Sequence, residues 1–153
     1  MSVEAPVSKY KKHNLIIYIV ACLALGVWCY YDGYINQEWI DRHTNADGNP
    51  TPYLMFNRKA PPFFVGAAVL LGIYLLAIRK KKIVALENEM VIANGEKIPY
   101  DAIHKIDKTY FQSKGFFTIT YKRADGREVV RKFSDHDYDN LGLLLDELVA
   151  KIS

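Results

Sequence analysis

Charge is absent from two long stretches of this 153-residue chain: residues 14–31 and residues 60–78 contain no Asp, Glu, Lys or Arg. Cysteine is scarce as well, with only Cys22 and Cys29, seven positions apart in the first uncharged stretch. Two helical turns would separate them by about 10 Å, which excludes a disulfide or a shared metal ion between them. They read as small apolar helix residues, and no redox compartment follows from them. No nucleophile elbow, phosphate-binding glycine loop or metal-ligand spacing occurs anywhere, so the chain is expected to be no enzyme and to take no cofactor.

Isolated histidines offer little more. His43 stands near Asp41 and Asp47 in a polar segment, where solvated surface is a better reading than a metal site. His136 lies between Asp135 and Asp137, and helix capping accounts for those acids without catalysis. A strong basic excess is missing too. The formal net charge is only +3, and from residue 79 onward 14 Lys and Arg face 12 Asp and Glu, which excludes nucleic acid as an expected partner.

The uncharged stretches themselves carry the architecture. Residues 61–78 form an apolar run of about 27 Å at helical rise, close to the hydrocarbon thickness of a bilayer, and Arg79, Lys80, Lys81 and Lys82 stop it abruptly. Residues 15–31 form a second such run. Trp28-Cys29-Tyr30-Tyr31-Asp32 lacks a small-residue cleavage pattern, so this run reads as a retained signal-anchor helix. The mean hydropathy of −0.06 hides both runs, because greasy and charged blocks average out.

Orientation follows from the cations. Seven flank the outer ends of the two runs (Lys9, Lys11, Lys12, Arg79, Lys80, Lys81, Lys82), against three between them (Arg42, Arg58, Lys59), which predicts both termini in the cytoplasm. The expected segments are a cytoplasmic start at residues 1–13, a first transmembrane helix at 14–31, an extracytoplasmic loop at 32–59, a second transmembrane helix at 60–78 and a cytoplasmic domain at 79–153. Pro61 and Pro62 suit the start of the second helix. Small residues, Gly26 on the first helix and Gly66 and Gly72 on the second, predict close helix packing within the hairpin or with another subunit. Neither span holds an Asp, Glu, Lys, Arg or His, which argues against an ion path.

The loop opens with Ile35, Trp39 and Ile40 at helical spacing, so the first helix is expected to run on past the membrane and to stop near Asn45-Ala46-Asp47-Gly48-Asn49-Pro50. Trp39 is a candidate contact for another membrane subunit.

After the cations the periodicity changes from helical to alternating. Asn94-Gly95 and Asp125-Gly126 are hairpin signals, and Phe117, Ile119 and Tyr121 alternate with Thr118, Thr120 and Lys122 as in a half-buried strand. Pro99 marks an edge or a strand start. About six short strands can be read in this region. Ser134-x-x-Asp137 is expected to cap a last helix, on which Leu141, Leu144, Leu145, Leu148 and Ile152 form one apolar stripe. Lys114, Lys122, Arg123, Arg127, Arg131 and Lys132 form a candidate basic face for anionic lipid headgroups, with a solvated sheet face as the plainer reading.

The strand order, the phrase Lys97-Ile98-Pro99-Tyr100-Asp101-Ala102-Ile103-His104-Lys105-Ile106, the Asp125-Gly126 hairpin and the closing amphipathic helix together resemble the small bacterial PH-like domains tethered behind transmembrane helix pairs. The resemblance covers about half the chain, residues 83–152. It implies an α+β membrane protein in which two transmembrane helices carry a cytoplasmic PH-like antiparallel β-barrel or sandwich closed by a C-terminal helix. It also implies a bacterial plasma (inner) membrane and a role in binding or assembly rather than catalysis. The resemblance carries over no functional residues. The expected function is a membrane-anchored interaction or scaffolding module, such as an accessory subunit, whose partners are other membrane proteins or a second copy; recognition of anionic lipid is the alternative.

Overall fold

The computed structural model describes residues 2–153 and gives a mixed α+β chain in two compact units. One unit is residues 13–76 and is helical. The other joins residues 1–12 to residues 77–153.

In the helical unit, α1 (Lys9–Tyr30) continues through a π-helical turn at Tyr31–Ile35 into the short α2 (Gln37–Arg42), and α3 runs from Pro52 to Ile78. Asn36 caps α2 by accepting the Trp39 amide, and the turn-forming cluster ends it as expected, with Gly48 at φ +82. Both α1 with its π turn and α3 are long and apolar enough to cross a membrane.

The second helix starts eight residues before the expected position 60, with Thr51 accepting the Leu54 and Met55 amides. Pro61 and Pro62 therefore lie inside α3 rather than at its start. A proline cannot donate to the carbonyl four residues back, so Arg58 loses its helical partner at Pro62. The Tyr34 hydroxyl donates to that carbonyl at 3.2 Å, which lets the helix pass through the proline pair.

The other unit holds two antiparallel sheets, neither closed into a barrel. One is four-stranded, in the order β1 (Val3–Pro6), β2 (Lys82–Ala85), β3 (Glu89–Val91), β4 (Lys97–Pro99). The other is three-stranded: β5 (Ile103–Asp107), β6 (Phe116–Lys122), β7 (Glu128–Ser134). A short helix α4 (Phe111–Lys114) links β5 to β6, and α5 (Leu141–Ile152) packs on β1 and β2. Leu141, Leu144, Leu145 and Leu148 of α5 join Ile83, Met90, Ile98, Phe117, Ile119, Tyr121 and Phe133 in one buried core. Pro99 ends an edge strand, as its chemistry predicts.

The strand that sequence reading did not find is β1. Residues expected to be a polar lead-in pair instead with β2, Val3 opposite Ala85 through Pro6 opposite Lys82, and Ala5 is fully buried. Four residues ending in proline carry too little alternation to be recognised, and their partner lies almost eighty positions along the chain.

A second difference concerns capping. Ser134 ends β7, and α5 begins only at Leu141, after Asn140 in the left-handed region at φ 61 and without a side-chain cap. The expected Ser134–Asp137 cap does not form there. The acids serve α1 instead: Asp139 accepts the Lys9 amide at 3.2 Å, and Asp137 meets the Lys11 ammonium at 3.3 Å. Ser8 is the N-cap of α1. Its hydroxyl accepts the Lys11 amide at 3.0 Å and donates to the His136 carbonyl, and its own amide donates to the Asp137 carbonyl.

Candidate functional site

Both hairpin turns of the β unit place charged side chains at one location. Gly95 and Gly126 adopt φ +88, and each turn closes through one glycine amide, Gly95 to the Ile92 carbonyl and Gly126 to the Arg123 carbonyl. Neither Asn94 nor Asp125 has positive φ, so these are type I turns with a left-handed glycine, not the two-residue type I′ turns that the dipeptides suggest. Glu96 follows the first turn and Arg123 opens the second.

Four donors converge on the Glu96 carboxylate. Arg123 Nε donates to Oε1 at 2.9 Å and its Nη2 to Oε2 at 3.3 Å, Arg131 Nη2 donates to Oε2 at 3.0 Å, and the Tyr121 hydroxyl donates to Oε1 at 2.9 Å. Arg131 Nε also reaches the Tyr121 oxygen at 3.4 Å. The hydrogen bond from Arg123, together with the Tyr121 bond and both guanidinium charges, holds the Glu96 carboxyl below its usual range against an opposing effect of burial. An open cavity of about 810 Å³ adjoins this cluster, lined by Glu96, Tyr121 and Arg123 together with Lys97, Ile98, Pro99, Asp101, Ala102, His104, Lys122, Ala124 and Asp125.

The six basic candidates do not form one surface. Arg123 and Arg131 are committed to Glu96. Arg127 is exposed on the second turn, 3.8 Å from Asp125. Lys122 and Lys132 project from the outer face of the three-stranded sheet, opposite the side on which Phe117, Ile119 and Tyr121 are buried. Lys132 lies over the Phe116 ring at 4.2 Å and Lys114 over Tyr110 at 4.9 Å, and the two rings stack at 5.6 Å. The outcome is an ion-paired cluster on one side and an exposed cation–aromatic cluster on the other.

The helical candidates also separate. Gly26 is buried, and a Cβ there would stand 3.3 Å from Phe64 and 3.8 Å from the Pro61 carbonyl, so it supports the helix contact. Gly66 and Gly72 meet nothing within 4 Å and do not take part in that contact. Gly33, not singled out by its sequence context, approaches α3 more closely still: a Cβ would lie 3.0 Å from the Asn57 backbone, and Arg58 Nε donates to the Gly33 carbonyl at 2.9 Å. Trp39 is half-buried with its ring edge-on to His43, which in turn faces Tyr53.

Among the described residues no group of three or more His, Cys, Asp or Glu is placed to hold a metal ion. Sequence reading missed Glu96 and Ser8. A carboxylate directly after Asn-Gly, in a segment otherwise facing cations two strands away, was the available signal for the first; for the second, the signal was a serine one position before a helix that begins earlier than its apolar run.

No known protein family matches the chain, and no curated protein and no solved structure is significantly similar to it.

Proposed function

We propose that this chain is a non-catalytic, membrane-anchored interaction or scaffolding module, serving as an accessory subunit of a larger assembly in a bacterial inner membrane. The observation that carries the reading is the way the first turn of α1 is fixed to the β unit. Ser8, Lys9 and Lys11 all bond to residues 136–139, and β1 beside them pairs with β2, which begins four residues after the end of α3. Residues on both sides of the helical segment thus belong to one folded domain, which suits a docking module.

The same pairing supports a topology with both termini on one side of the membrane, and the excess of Lys and Arg at the outer helix ends assigns that side to the cytoplasm. The reading of the β unit as PH-like draws support from its succession of a four-stranded sheet, a three-stranded sheet and a C-terminal helix, one strand coming from residues before the first helix.

The test is gentle solubilisation from the native membrane, followed by the mass and composition of the particle that carries the chain. A constant set of other proteins is expected, and recovery of that set should fall in Gly66→Leu or Trp39→Ala while the β unit stays folded. Since Gly66 has open space around it, leucine there disturbs no contact within the chain. A particle no larger than a monomer or homodimer would refute the accessory role.

One observation favours lipid recognition as a second reading: the exposed Tyr110, stacked on Phe116 with Lys114 and Lys132 above the rings, combines an amphipathic aromatic with cations. Charge reversal at Lys114 and Lys132 should then abolish binding to anionic vesicles; unchanged binding would dispose of it.

A further inference from the structure

We propose that Arg123, Arg131 and the Tyr121 hydroxyl form a binding site for a phosphate monoester, and that Glu96 occupies it as an internal plug. This goes beyond the anchored-module reading and does not rest on it.

Two guanidinium groups meet one carboxylate, so the cluster keeps a surplus positive charge even when plugged. Its four donors already point at a single acceptor group with two oxygens. A phosphate monoester brings three acceptor oxygens and a charge of about −1.5 to −2 at neutral pH, which fits such a donor set better than a carboxylate does. Arg131 stands on β7 and Tyr121 on β6, where it is 2% exposed, while Arg123 directly follows β6 at the start of the second turn, so two of the three donor residues are placed by the three-stranded sheet. Glu96 follows the first turn, next to Gly95 at φ +88, and its side chain lies between the two more exposed guanidinium groups.

Room for a ligand lies beside the cluster. The cavity of about 810 Å³ brings His104 and Lys97, itself paired with Glu89 at 3.5 Å, to its wall, with Asp101 and Asp125 as the opposing acids and Ile98, Pro99 and Ala102 as an apolar surface. Withdrawal of Glu96 would open the donors to that space. An ordinary structural ion pair stripped of its carboxylate would gain affinity for any anion alike, whereas a phosphate monoester site gains affinity for glycerol 3-phosphate over acetate at equal concentration, and this separates the two interpretations.

The phosphate could belong to a soluble metabolite or to a lipid headgroup, and the same experiment distinguishes the two. Glycerol 3-phosphate is titrated into the full chain in nanodiscs of zwitterionic lipid, followed by phosphorus NMR. Glu96→Gln should bind at least about tenfold more tightly than the wild type, as expected for removal of a charge-assisted competitor, and adding Arg131→Gln should abolish the gain. Equal affinity in wild type and Glu96→Gln, or a gain that survives Arg131→Gln, would overturn the proposal. Thermal melting of each variant reports folding. Should Arg131→Gln unfold, Arg131→Lys keeps the charge but loses the planar fork, and a gain that survives it undiminished counts against the site equally. With phosphatidic acid added to the nanodisc, loss of glycerol 3-phosphate binding by Glu96→Gln identifies the headgroup as the source, and unchanged binding identifies a soluble ligand.

Discussion

The β unit and the helical unit use apolar residues in opposite ways. In the first, Leu144, Leu148, Ile83 and Met90 have no exposed surface, and about twenty side chains converge on one core. In the second, Phe63 is 77% exposed, Leu70 is 70% exposed and Val27 is 69% exposed. Two helices long and apolar enough to cross a membrane carry that exposed area, which suits hydrocarbon better than water, whereas the β unit draws its stability from its own interior. Small residues differ in parallel: Ala5 is needed to fill a sheet, while Gly26 and Gly33 are needed to bring helix backbones together.

Several substitutions would break or sharpen that contrast. Deletion of residues 2–8 should have the largest effect, because it strips an edge from the four-stranded sheet and the cap from α1. The expected outcome is loss of the cooperative melt of the β unit, followed by circular dichroism in detergent, while helical signal persists. Leu148→Ala should cost about 2–5 kcal/mol in denaturant unfolding of the β unit, whereas Leu70→Ala should leave that transition within about 0.5 kcal/mol. Equal sensitivity at the two sites would dissolve the comparison. Ser8→Ala should cost about 1 kcal/mol in the same measurement, since it removes the cap of α1 and leaves the His136 carbonyl without its partner.

The smallest effect concerns pH. The Glu96 carboxyl is held below its unfolded value chiefly by Arg123, so its contribution to stability is fully present above the unfolded value, about 4.3, and is lost as pH falls through the lower folded value. Melting temperature measured down through this acid range should therefore fall less steeply in Glu96→Gln than in the wild type. An identical slope would show that the four-donor cluster does not persist in solution.

Much of the β unit could be read from local pattern. Phe117, Ile119 and Tyr121 announce their strand by strict alternation, and the leucine stripe of α5 announces a helix that needs a sheet to cover. Boundaries set by distant partners could not be read in this way. α3 starts as early as Pro52 and runs on through Pro61 and Pro62, with the Tyr34 hydroxyl donating to the Arg58 carbonyl that Pro62 leaves without a partner, and nothing within a few residues of the prolines records that. Asp137 looks like part of a cap for the helix that follows it, yet it pairs with Lys11, and Asp139 beside it accepts the Lys9 amide, both on a helix that begins at the other end of the chain. The Glu96 cluster was illegible for the same reason: it joins a turn to two strands that only the folded sheet brings together, and a row of cations on those strands read naturally as one basic face.

The pairing of β1 with β2 has a consequence for how the molecule is made. Viewed by its β unit alone, the chain is a small domain whose first hairpin connection has been replaced by a helical insertion of some seventy residues. The ribosome releases β1 first, but its partner strand emerges only after α3 is complete, at about 5–20 residues per second several seconds later. Until then Ala5 and its neighbours have no place to be buried. Closure of the sheet thus comes after synthesis of both helices, and any state of the helical insertion that keeps its two ends apart leaves the domain incomplete. Completion of that sheet is in effect a record that the two ends of the insertion have been brought together.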